Sequence, residues 1–188
     1  MGKKRIRDFG IVPGRVKTGE RNAITDVPGI RVGHCTVKTE ENHTGVTVIV
    51  PGPDNAFAKH YTAAAYIHNG FGKSAGVVQV EELGTLETPI ALTNTLNVGK
   101  VLDAMVEIVI EQCRKDGIEP QSINPVVGEC NDCRINHIQK RAIGEKEVRE
   151  AFALASEEFE EGDVGAGAGT TCYGMKGGIG SASRVITI

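Results

Sequence analysis

The stretch Asn97 to Lys115 constrains this chain most. Val98, Val101, Leu102, Met105, Ile108, Val109 and Cys113 recur at the helical period, which predicts a long helix with one continuous apolar face. Asn97 is of the type that caps a first turn, and Gly117 is placed to end the helix. Val106 and Ile110 widen the apolar stripe, so the helix is expected to be covered on more than one side.

Short apolar runs flank it. Ile30 to Val37 alternates apolar and polar residues as a half-buried strand does. Thr44 to Val50 follows and is stopped by Pro51-Gly52-Pro53. Ala63–Ile67, Gly76–Val80, Ile90–Thr93 and Pro125–Val127 read as further short strands. A second helix is expected from about Glu145 to Glu160, with Val148, Ala151, Phe152, Ala155 and Phe159 facing inward. Short strands mixed with two helices predict an α/β (α+β) layered sandwich, taken as a single domain over residues 1–188.

Composition narrows the function classes. A chain of 188 residues can bury roughly 70% of its unfolded surface, so no staple is needed. The net charge of -3, from 21 Lys+Arg and 24 Asp+Glu, provides no field for nucleic acid. Only Lys3, Lys4, Arg5 and Arg7 are locally basic, and they read as a solvated terminus. No apolar run approaches the roughly 20 residues of a membrane span. No apolar core of a signal peptide follows Met1-Gly2-Lys3-Lys4, so a cytoplasmic protein is expected.

Five scattered cysteines predict free thiols in a reducing compartment. Cys130-Asn131-Asp132-Cys133 is a CxxC with His137 four residues on, but a zinc site usually needs a second such pair, and none exists. Gly162 to Gly180 holds eight glycines in 19 residues. Its Gly165-Ala166-Gly167-Ala168-Gly169 is not the GxGxxG of a dinucleotide site, and no Gly-Lys-Ser/Thr follows. A triad of Ser181 or Ser183, His34 or His137, and Asp132 lacks the local Gly-x-Ser-x-Gly signature.

Two polar clusters sit at strand ends. Thr93-Asn94-Thr95 separates a short strand from the long helix, and Glu129 to Asn136 follows Val126-Val127. A neutral Asn amide can stabilise an oxyanion, typically worth about 10²–10³ in rate. Helix capping and turn formation explain Asn94 as well as a catalytic role does and weigh slightly more than it for Asn136, so both readings stand at this point.

Five segments in order resemble one family. They are Ile24–His34 (ITDVPGIRVGH), Thr44–Ile49 (TGVTVI), Pro89–Gly99 (PIALTNTLNVG), Pro125–Glu129 (PVVGE) and Lys176–Arg184 (KGGIGSASR). Together they resemble the DmpA-type L-aminopeptidase D-amidase/esterases, a self-processing, N-terminal-nucleophile-like family that includes the β-aminopeptidases. The resemblance implies a four-layer α/β/β/α sandwich, of which this chain would supply the N-terminal, α-chain portion. It implies cleavage before a Ser or Thr that then attacks amides or esters of short, N-terminally free peptides. No metal or organic cofactor is implied.

Residue by residue, Asn136 in Arg134-Ile135-Asn136-His137-Ile138 matches a segment whose Asn donates to the oxyanion. Asn94 and Thr95 match a segment lining the substrate pocket, and Glu129 matches a neighbouring acidic position. Ser181 matches a position upstream of the family's cut, so no nucleophile is expected in this chain. Lys73 stands where relatives often carry an acidic residue, and Cys130 and Cys133 replace residues usually not thiols. The implied partners are a β-chain segment bearing the nucleophile, a small peptide or amide substrate, and further copies in a homo-oligomer, with neither nucleic acid nor membrane. The alternative is a non-catalytic truncated paralogue or fragment acting as an assembly module.

Overall fold

The structure is a computed structural model and describes residues 4–187. Met1, Gly2 and Lys3, on which the reading of the chain's start rests, and Ile188 lie outside the described residues.

In chain order the elements are β1 (Arg31–Lys38), β2 (His43–Val50), β3 (Tyr61–Thr62), α1 (Val77–Leu83), β4 (Thr85–Leu86), β5 (Ile90–Thr93) and α2 (Val98–Lys115). β6 (Val126–Glu129), α3 (Glu145–Ala153), β7 (Thr171–Cys172) and β8 (Met175–Lys176) follow. The main sheet has the order β1-β2-β5-β6. The β1–β2 and β2–β5 pairs are antiparallel, whereas β5 and β6 are parallel, with α2 as the crossover between them.

Alternation along the strands decides which face receives the helices. Val46, Val48 and Val50 of β2, Cys35 of β1, Ala91 of β5 and Val127 of β6 all enter one buried cluster. α2 and α3 pack there, contributing Val98, Val101, Ala104, Met105, Ile108, Val148 and Ala151. Each fully buried side chain of the size of Met105 or Val101 contributes about 1.5–3 kcal/mol by leaving water. The outer edge of β1 is capped where the backbone of Ser156 pairs with Val32, and that of β6 where Ala75 pairs with Val127.

The opposite sheet face is divided. Over β1 and β2 it is covered by a 3-10 turn, Gly165–Gly167, whose Gly165 and Ala166 amides donate to the hydroxyls of Thr36 and Thr47 at 2.8 and 3.1 Å. From Ile49 of β2 across β5 and β6, the side chains of Ile49, Ile90, Leu92 and Val126 are only half-buried.

Three expected elements differ. Gly76–Val80 is not a strand: Gly76, at φ 80, starts the helix α1, and Gly84, at φ 67, ends it. Ala63–Ile67 carries no regular structure beyond the two-residue β3 before it. The second helix stops at Ala153 rather than about Glu160, because Ser156 gives its backbone to Val32 instead of to a further helical turn. Ahead of α2 the cap also moves: Asn94 caps the 3-10 turn Thr95–Asn97 by accepting from the Asn97 amide, and the Asn97 side chain makes no capping bond to α2. No helix among the described residues is long and apolar enough to cross a membrane.

Candidate active site

Parallel pairing brings the carboxyl ends of β5 and β6 side by side, with Thr93 opposite Glu129. One further bond, from the Cys130 amide to the Thr93 carbonyl at 2.8 Å, extends the ladder before the two chains part. Beyond it, consecutive residues point to different sides. Asn94 and Asp132 are buried, whereas Thr95 is half-buried and Asn131 exposed.

The outer pair builds one network. The Thr95 hydroxyl donates to Glu129 Oε1 and accepts from Asn131 Nδ2 at 2.9 Å. Glu129 Oε2 accepts from the Lys73 amide at 3.2 Å. The Lys73 ammonium itself turns away, lying 3.7 Å from the centre of the Phe71 ring.

The inner pair builds a second, drier network. Asn94 Nδ2 donates to Thr44 Oγ1 at 2.9 Å, and the Thr44 hydroxyl donates to Asp132 Oδ2 at 2.6 Å. Asp132 Oδ1 accepts from Asn136 Nδ2 at 3.0 Å. Asn136 Oδ1 in turn accepts from Asn42 Nδ2 at 3.0 Å and from the His43 amide at 3.2 Å. Asn136 lines a cleft of ≈ 540 Å³ together with Cys133, His137, Ile138, Gln139 and Lys140.

The four residues singled out from sequence therefore fall into one region. Thr95 and Glu129 touch directly, and Asn94 reaches Asn136 through Thr44 and Asp132. Sequence reasoning missed Thr44 altogether and weighed Asp132 only as a triad member. The spacing of Asp132 and Asn136, one helical turn apart and closed by the Asn136 amide on the Asp132 carbonyl at 3.0 Å, is the signal that could have paired them.

The other candidates lie in different bonding systems. Ser181 Oγ accepts from the Ile24 amide at 2.6 Å, and Ser183 Oγ donates to Asp26 Oδ2 at 2.5 Å. Both serines fasten residues 181–183 to the segment 19–26. The Asp26 carboxyl is held below the usual carboxylate range, chiefly by that Ser183 hydroxyl. His34 bonds Thr47 and the Glu160 carbonyl, not a serine. Two amides of the glycine turn, those of Gly165 and Ala166, are taken by sheet hydroxyls. Cys130 is half-buried and Cys133 exposed, and burial pushes the Cys130 thiol pKa up.

A model described as peptidase family S58 matches residues 22–188. The chain belongs to peptidase family S58. It is 36% identical over 192 residues to the beta-peptidyl aminopeptidase BapA of Sphingosinicella microcystinivorans, covering 97% of this chain and 47% of that protein. It also matches the crystal structure of the PH0078 protein from Pyrococcus horikoshii OT3, with a TM-score of 0.93 and 42% identity over 98% of this chain and 55% of the other. The l-aminopeptidase d-ala-esterase/amidase of Ochrobactrum anthropi, described as a new variant of the Ntn hydrolase fold, matches with a TM-score of 0.85 and 32% identity. That comparison covers 98% of this chain and 53% of the other. The mixed α/β architecture of this S58 chain is thus the one shared with the DmpA-like, Ntn-type hydrolases. The chain spans about half the length of the curated relatives it matches.

Proposed function

We propose that this S58 chain is the α-side portion of an aminopeptidase that hydrolyses short, N-terminally free peptides, amides or esters through an acyl-enzyme. The observation that carries the reading is the state of Asn136. Its side-chain oxygen is committed to Asn42 and His43 and one Nδ2 hydrogen to Asp132, which leaves the second Nδ2 hydrogen as a donor beside the cleft. A neutral donor held in this way suits a developing oxyanion.

In this mechanism the nucleophile is the freed N-terminal Ser or Thr of a segment outside residues 1–188. Its hydroxyl oxygen bonds to the substrate carbonyl carbon, and its proton passes to that residue's own amine. Asn136 donates to the carbonyl oxygen as it becomes an oxyanion. The C–N bond then breaks, the departing amine takes the proton, and an ester to the nucleophile remains. Water repeats the sequence, releasing the acid and restoring the hydroxyl. Glu129, fixed by Thr95 and the Lys73 amide, is the carboxylate of the cluster suited to the substrate's free ammonium.

The nucleophile-bearing segment also explains the divided sheet face. Ile49, Ile90, Leu92 and Val126 form an apolar strip that a second sheet would cover, completing the four-layer sandwich. Assembly into a cytoplasmic homo-oligomer belongs to the same reading.

The test is hydrolysis of p-nitroanilides of small α- and β-amino acids by the chain assembled with its nucleophile-bearing portion. Release of p-nitroaniline is expected, with Asn136→Ala lowering kcat by about 10²–10³ and leaving KM nearly unchanged. Absence of turnover would favour a non-catalytic assembly module. An undiminished kcat in the variant would remove Asn136 from its role.

A further inference from the structure

We propose that Asp132 is the positioning residue that fixes the orientation of the Asn136 amide, and so aims its free N–H; this rests on the reading of Asn136 as the oxyanion donor. An Asn side chain can sit in two orientations related by a half-turn of its amide, and only hydrogen bonds choose between them. At Asn136 the choice is made from both ends. The His43 amide and Asn42 Nδ2 are donors and demand the oxygen. The Asp132 carboxylate accepts only and demands the nitrogen. Turning the amide over would set oxygen against carboxylate and NH₂ against two N–H groups.

Asp132 can impose this because it is itself held. It is 1% exposed, its second oxygen takes the Thr44 hydroxyl at 2.6 Å, and Thr44 is steadied by Asn94. Gly169 packs behind it: a Cβ there would lie 2.6 Å from Asp132 Cβ and 2.1 Å from the His43 carbonyl oxygen. Glycine at 169 thus gives room for the carboxylate and the strand that hold Asn136 from either side. The charge of Asp132 does not serve the chemistry, because a negative group beside an oxyanion repels it. Its contribution is an acceptor oxygen in a fixed place, which an amide oxygen can also supply.

The orientation claim therefore separates Asp132→Asn from Asp132→Ala in the enzyme assembled with its nucleophile-bearing portion. Asp132→Ala is expected to lower kcat by about 10²-fold with KM unchanged, and Asp132→Asn to retain kcat within about tenfold. The double variant Asp132→Ala/Asn136→Ala is expected to fall no further than Asn136→Ala alone, since both remove one aimed donor. In crystals of Asp132→Ala the Asn136 oxygen stays with Asn42 and His43, and the amide is expected to pivot about it so that Nδ2 leaves its present position. Should Asp132→Ala fail to fold, Thr44→Val removes only the hydroxyl that holds the carboxylate and should lower kcat, more weakly, at constant KM.

An Asp132→Ala enzyme with full kcat, losses that multiply in the double variant, or an Asn136 amide unmoved in the crystal would each overturn the proposal. Full activity in Asn136→Ala would instead sink the oxyanion reading, while the crystal of Asp132→Ala would still decide what orients the amide.

Discussion

Gly45 of β2 and Gly165 of the glycine turn meet backbone to backbone: a Cβ on Gly45 would lie 2.3 Å from the Gly165 carbonyl oxygen and 2.5 Å from that of Cys35. Both obstacles are main chain and cannot swing aside. Gly165 is itself at φ +51, where a Cβ would also meet Thr47 Oγ1 at 2.3 Å. Gly45→Ala should therefore cost about 1–3 kcal/mol or more by forcing the turn off the sheet. Gly99 is the control, since it lies in α2 with nothing within 4 Å of its Cβ position. Gly99→Ala should raise stability by about 0.5–1 kcal/mol. Urea unfolding of the two variants reads both signs.

The same turn is tied to a histidine. His34 Nε2 donates to the Glu160 carbonyl at 3.0 Å, so Nδ1 must accept from the Thr47 hydroxyl at 2.9 Å, and Thr47 Oγ1 accepts from the Ala166 amide at 3.1 Å. Burial lowers the His34 pKa, and the Glu160 carbonyl and charge offset only part of that. A group depressed in the folded state binds its proton more readily when unfolded. Its contribution is thus complete above the ordinary value of 6.5 and is lost as pH falls below it. The melting temperature should fall between about pH 7.5 and about pH 5.5, and His34→Gln should flatten that slope. An identical slope in the variant would show that His34 is not its source.

How far these features could be read in the sequence depended on the length of each pattern. α2 was legible because seven apolar positions keep one period over 18 residues. Gly76-Val77-Val78-Gln79-Val80 was misread as a strand because five mostly apolar residues fit either period, and the glycines at φ 80 and 67 that bound α1 are visible only in the backbone. Phe159 keeps the helical phase of α3, yet the chain leaves the helix to cover the β1 edge, a tertiary demand with no local mark. Asn94, Thr95, Glu129 and Asn136 were found as polar residues at strand ends. Thr44 was hidden as one β-branched residue in a β-branched strand, distinguished only by what lies across from it.

Arg5 fastens three segments at once. Its guanidinium grips Glu161 through Nε at 2.7 Å and Nη2 at 2.6 Å, and donates to the carbonyls of Arg21, Asn22 and Ser181 at 3.0–3.1 Å. Lys carries charge without the planar fork, so it cannot replace this set. Arg5→Ala and Arg5→Lys should each cost about 1–3 kcal/mol and expose residues 5–22 to limited proteolysis. Equal protease resistance in wild type and Arg5→Lys would show that charge alone suffices.

The central claim is that this S58 chain supplies the scaffold and the aimed amide while another segment supplies the attacking hydroxyl. Labelling the active preparation with a sulfonyl fluoride and mapping the adduct by peptide mass tests it most directly. The account predicts one adduct, on the N-terminal Ser or Thr of a segment outside residues 1–188. An adduct on Ser181, Ser183 or any other residue of this chain would contradict it.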